Sequence, residues 1–195
     1  MASVLFTAPI IEPITLDDVK LHLRVDGTDE DEYLEGLIKT AREQVETLTQ
    51  RALLTQTWDY FLDSWPDENY IKLPFGNLVS VTSVKYKDSA GTETTMVVTT
   101  AYLVETNGDQ CGRIVLPYMV SWPVVTLYPS NPITVRFVCG WTTAELVPFR
   151  IKEAIKMICS KHYESRGEDV VGQTVSEDKT VDRLLNNVRL YDKSL

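Results

Sequence analysis

Apolar residues recur at helical spacing towards both ends of this chain and at strand spacing through its middle. Leu16, Val19 and Leu23 fall on one face behind Thr15, a good helix N-cap. Asp17 and Asp18 stand at the end of the helix dipole that favours negative charge. Asp26-Gly27 breaks the run, and Thr28 or Asp29 is placed to cap a longer helix. In that helix Tyr33, Leu34, Leu37, Ile38, Ala41, Val45 and Leu48 make a continuous stripe over about five turns. Residues 1–14, with two prolines and no periodicity, read as an extended lead-in.

From Thr55 the period changes to two. Trp58, Tyr60 and Leu62 alternate with Asp59, Phe61 and Asp63, and the spacing predicts further strands at Tyr70–Leu73, Val79–Lys87, Thr94–Val98, Tyr102–Glu105, Arg113–Leu116 and Ile133–Cys139. Turn residues separate them at Phe75–Asn77, Asp88–Gly91, Asn107–Asp109 and Pro129–Pro132. The uneven series Val79, Val81, Val84, Tyr86 is what a bulge near Thr82-Ser83 produces. Helical spacing returns after Gly140, with Pro148 suited to a first turn and Ile151, Ala154, Ile155, Ile158, Cys159, His162 and Tyr163 on one side. Residues 164–180 are polar and contain glycine, as a linker does, and a last helix near Asp178–Arg189 presents Val181, Leu184, Leu185 and Val188. This order predicts an α+β fold: a helical bundle formed by the N- and C-terminal helices (1–52 and 145–195), with an inserted antiparallel β domain (53–144).

Charge changes what this fold can do. The net charge is −9, and eleven carboxylates against four bases crowd residues 12–46. Such a surface repels phosphate, which argues against specific capture of nucleic acid. Three widely spaced cysteines with no C-x-x-C and no glycosylation acceptor point away from a disulfide framework and from secretion. The twenty-two residues between Arg113 and Arg136 carry no charge, long enough for a membrane span, yet four prolines interrupt them. Strands and loops in a soluble protein made inside the cell are the expectation.

The residues of known chemistries do not assemble into a site. His22 and His162 each lack a second ligand one turn away, so a helical zinc site is not formed by spacing. Gly27 precedes the acids of 29–35, whereas a calcium loop needs it among them, so these acids read as helix N-terminal charges. No phosphate loop and no nucleophile elbow is present. The expectation is a protein that is not an enzyme and uses no cofactor and no metal. Trp58, Trp65, Trp122 and Trp141 suit a core or an interface better than a base-stacking platform. What remains is apolar surface in search of a partner. Tyr33, Leu37, Leu184, Leu185, Leu190 and Tyr191 are candidate interface residues, though the last helix is as well suited to docking on its own core.

An ordered series of segments carries a resemblance. Thr15-Leu-Asp-Asp-Val-Lys-Leu-His-Leu-Arg-Val-Asp26, Leu37-Ile-Lys-Thr-Ala-Arg-Glu-Gln-Val-Glu46, Arg51-Ala-Leu-Leu-Thr-Gln-Thr-Trp58, Ser80-Val-Thr-Ser-Val-Lys-Tyr86, Phe137-Val-Cys-Gly140, Ala154-Ile-Lys-Met-Ile158 with His162-Tyr-Glu-Ser-Arg166, and Leu184-Leu185 are together similar to the head–tail connector (adaptor, head-completion) proteins of tailed phages. The resemblance implies a helical bundle with a β insertion and no catalytic residues. It further implies a homo-oligomeric ring that matches a twelve-fold portal, docks beneath the portal protein, receives the next neck or tail protein and lets DNA pass without binding it. The place implied is the head–tail junction of the virion, after assembly in the host cytoplasm. Asp29, Glu30, Glu32 and Glu35 would then face the lumen or a neighbouring subunit. Another neck or tail-completion position, or a monomeric protein-binding module, would share the same acidic helices.

Overall fold

The structure, a computed structural model, describes residues 1–165 and 179–190. It divides into a β-rich unit, Met1–Pro9 with Thr55–Gly140, and a helical unit, Ile10–Leu54 with Trp141–Leu195. Each holds its own core.

In the helical unit the first helix, α1 (Leu16–Leu23), starts on a complete capping box. The Asp18 backbone N–H donates to Thr15 Oγ1 at 3.1 Å, and the Thr15 N–H donates to the Asp18 carboxylate at 3.0 Å. Arg24 then turns left-handed (φ 58°) and ends the helix. The long helix α2 (Asp31–Thr49) begins differently from expectation. Neither Thr28 nor Asp29 caps it: Glu30 occupies the N-cap without a side-chain hydrogen bond, and Asp31 N–H donates to the Thr28 carbonyl. An ion pair from Lys20 holds the Asp31 carboxylate beside α1. The third helix, α3 (Phe149–Glu164), follows Pro148 at its N-cap, and α4 spans Lys179–Asn186.

The stripes read from the sequence meet in one core. Val19, Leu34, Ala41, Val45, Leu53, Leu54, Ile151, Ala154, Ile155, Cys159 and Leu185 are fully enclosed there. Each Val, Leu or Ile side chain so buried is worth about 1.5–3 kcal/mol. The linker expected at 164–180 lies for residues 166–178 outside the described residues.

The β-rich unit holds a five-stranded antiparallel sheet. Its strands are β1 (Ala2–Thr7), β2 (Gln56–Leu62), β4 (Leu78–Lys87), β5 (Glu93–Thr95) and β8 (Ile133–Cys139), in the order β1-β2-β8-β4-β5. Strands β3 (Tyr70–Lys72), β6 (Leu103–Glu105) and β7 (Arg113–Val115) form a second sheet in the order β3-β7-β6. Alternation is cleanest in β8, where Ile133, Val135, Phe137 and Cys139 are buried and the residues between them half-buried. The register of β4 on β8 slips between Val81 and Ser83, the bulge the sequence spacing implied, and again between Leu78 and Ser80.

One expectation is overturned. Residues 2–7 are a strand and not a lead-in, so residues 1–9 belong with the sheet and not with the helices. Arg136 fixes the new strand in place. Its guanidinium makes two 2.7 Å bonds to the Asp59 carboxylate on the adjacent strand and lies 3.5 Å from the centroid of the Phe6 ring.

Candidate assembly surfaces

The residues singled out as candidate interface separate into three fates. Leu185 is fully buried and Leu37 nearly so, both inside the helical core, so neither has surface to offer a partner. Leu184 packs half-buried against the same core, and Leu190 is half-buried with its N–H bonded to the Thr49 carbonyl at 2.9 Å. Tyr33 keeps 40% of its surface exposed, with its ring 6.4 Å from that of Tyr163. Tyr191 lies outside the described residues. The burial of Leu37 and Leu185 has a simple physical cause: an apolar stripe on a helix needs cover, and in α2 and α4 the chain's own helices supply it.

Of the four acids, Asp29, Glu32 and Glu35 stand exposed. Glu30 is half-buried, and its carboxylate accepts from the Tyr163 hydroxyl at 2.5 Å, which ties the start of α2 to the end of α3. It is a structural acid.

Two arginines that composition does not flag hold this unit together. Arg42, with only 6% of its surface exposed, donates to Glu12 at 2.9 Å and to Glu46 at 2.8 Å. Glu46 sits one turn along α2 and was a readable signal. Glu12, thirty residues away, was not. Burial pushes the Glu12 carboxyl above its ordinary value, more than the Arg42 guanidinium pulls it down. Arg51 donates to the Val188 carbonyl just beyond α4 and lies 6.0 Å from the Trp141 ring.

Concavities formed by the described residues of the helical unit include two of note. One, of about 260 Å³, is lined by Gln44, Leu48, Ile158, Lys161, His162, Val181 and Asp182. His162 faces Gln44 Oε1 there at 3.4 Å, while Asp182 is bonded to Arg189 at 2.7 Å. The nearby thiol of Cys159 is buried, which pushes its pKa up to about 12, so it is no nucleophile near neutral pH. The second, of about 180 Å³, is lined by Glu12, Ile14, Leu16, Glu35, Ile38 and Lys39. Among the described residues no group of three or more His, Cys, Asp or Glu is placed to hold a metal ion, and no helix is long and apolar enough to cross a membrane.

In the β-rich unit the uncharged stretch between Arg113 and Arg136 forms β7, the start of β8 and a loop between them. Tyr118, Met119 and Val124 on that loop are 93%, 89% and 97% exposed. Trp122 stacks on Trp65 at 4.9 Å and donates to the Glu68 carbonyl, so these rings anchor the loop.

Residues 13–104 match the family model of phage gp6-like head–tail connector proteins. No curated protein matches the chain. Among solved structures, a chain in the neck of an empty gene transfer agent (GTA) particle computed with C6 symmetry superposes with a TM-score of 0.78 at 20% identity, covering 98% of this chain and 96% of that one. A chain of the native GTA virion gives 0.77 at 21% identity, with the same coverage. A chain in the neck of the native GTA particle computed with C12 symmetry gives 0.78 at 19%, again over 98% and 96%. At these identities the likeness establishes a shared fold over nearly the whole chain. The chain is thus similar over residues 13–104 to the phage gp6-like head–tail connector proteins, and over nearly its whole length it has the fold of chains from GTA particle necks.

Proposed function

We propose that this protein is a structural, non-enzymatic subunit of a ring at the head–tail junction of a virion or prophage-encoded particle. Copies of it close beneath the portal protein, extend the channel through which DNA passes, and offer a platform to the next neck or tail protein. Assembly takes place in the host cytoplasm, and the helical unit carries the contacts between copies. The observation that carries this reading is the full-length match of fold to chains from particle necks computed with six- and twelve-fold symmetry, joined to the connector-family match over residues 13–104.

The charge distribution supports it. A channel wall that attracted phosphate would hold the duplex, whereas exposed carboxylates such as Asp29, Glu32 and Glu35 let it slide. In the ring these acids border the lumen or meet a neighbouring copy. Electron microscopy of the purified protein mixed with its portal tests the proposal, with a ring stacked on the portal as the expected image. A chain that stays monomeric by light scattering, both alone and beside the portal, would be a binding module and not a connector.

A further inference from the structure

The helical unit carries an exposed aromatic residue beside an exposed cation, and a small apolar cavity beside an exposed carboxylate. At the start of α3, Phe149 is 72% exposed, and Leu146 just before it is 57% exposed. Arg150 is exposed as well and makes no ion pair among the described residues. Lys156 Nζ lies 5.8 Å from the Phe149 ring centroid but is already paired with Glu153 at 3.1 Å, so Arg150 is the cation this knob offers a partner. Large side chains left this open at a helix start are a cost in water unless something covers them.

The cavity of about 180 Å³ supplies the opposite chemistry. Its floor is Ile14 and Ile38, both buried, with Leu16 half-buried beside them. Glu12 is already committed to Arg42, and Lys39 acts on Glu12 electrostatically. Glu35 is exposed and has no ion pair among the described residues. The cavity therefore offers room for a ring and one carboxylate for a cation.

We propose that Phe149 of one copy seats in the Ile14–Leu16–Ile38 cavity of the next copy, with Arg150 paired to Glu35 across the joint. The opposite charges of exposed Arg150 beside the knob and exposed Glu35 beside the cavity, both on one chain, are what identify a second copy as the occupant. Knob and cavity are different surfaces, so the contact is heterologous and repeats from copy to copy, as a closed ring requires. An aromatic anchor in an apolar pocket beside a desolvated charge pair has the composition of an interface hot spot. The inference rests on the ring reading and adds the residues of its joint. It also assigns Glu35 to the subunit contact, leaving Asp29 and Glu32 for the lumen.

Cysteine cross-linking in the full chain tests it. With Glu35→Cys and Arg150→Cys combined, mild oxidation of the assembled protein, alone and with portal, gives a ladder of covalent multimers on a non-reducing denaturing gel. Each single variant, which keeps the native cysteines, gives none. In parallel, Phe149→Ala lowers the apparent assembly affinity at least about tenfold while its melting profile stays that of the parent. Arg150→Glu abolishes assembly, and adding Glu35→Arg restores it. A ring seen by light scattering without the ladder, and indifferent to Phe149→Ala, overturns this joint and leaves the ring reading standing. Cross-linking that stops at dimers overturns it too, because a two-fold contact does not propagate. A monomer under every condition removes the ring reading and the joint together.

Discussion

Asp18 sits at the third position of α1, where hydrogen bonds from the Thr15 backbone and hydroxyl hold its carboxyl below the ordinary value of 3.8. A depressed carboxyl contributes stability that is complete above its unfolded value and fades as the pH falls through the folded one. The advantage of the wild type over Asp18→Ala should therefore be constant from pH 7 down to about 5 and shrink below pH 3.8. Denaturant unfolding at stepped pH measures it, and an advantage that grew on acidification would contradict the capping geometry. Thr15→Ala removes the reciprocal half of the box and should cost about 1 kcal/mol at neutral pH. This box was partly legible: Thr15 and the acids behind it are visible in sequence. The start of α2 was not, because Glu30 holds the N-cap without a side-chain capping bond and no residue type announces that.

At the scale of elements, the periodic ones could be read and the edge ones could not. The stripe of α2 and the alternation of β8 are each buried on a single face, so burial writes its period into the sequence. Strand β1 is an edge, with Val4, Leu5 and Phe6 exposed on successive positions, so no alternation betrays it. Besides its ladder on β2, it is clasped by Arg136, a residue far away in sequence. Arg136→Ala would strip Phe6 of its cation and leave Asp59, only 9% exposed, without its charge partner. The expected loss is about 1–3 kcal/mol, with faster amide exchange in residues 2–7 than in β8. Equal exchange in both strands would deny β1 this clasp. Gly112 makes a similar point about close approach. A Cβ there would stand 2.3 Å from Leu78 Cδ2 and 2.5 Å from its Cβ, so Gly112→Ala should cost about 1–3 kcal/mol. Much of that loss should return in the double variant with Leu78→Ala, compared with Leu78→Ala alone, in a double-mutant cycle.

For the whole molecule, the apolar faces were the least legible part of the candidate site. A sequence shows that Leu37, Leu184 and Leu185 need cover, but cover by the same chain and cover by a neighbour leave the same pattern. The fold decides it: Leu185 is fully buried in its own unit, so Leu185→Ala should cost about 2–5 kcal/mol of stability by opening a cavity. Charge is the surface property whose role at this scale can be separated from folding. Asp29 and Glu32 are exposed near the start of α2, and a helix start favours acids by only about 0.3–1 kcal/mol each. Reversing both to lysine should leave the subunit folded. If they line the DNA channel, the reversed ring still assembles but grips phosphate. DNA release from particles should then slow at low salt and recover as salt rises, since each phosphate contact releases counterions. Ejection followed by a DNA-binding dye across a salt series reads this directly. Release that is unchanged at every salt would place these carboxylates away from the channel, and loss of assembly would make them contacts between copies.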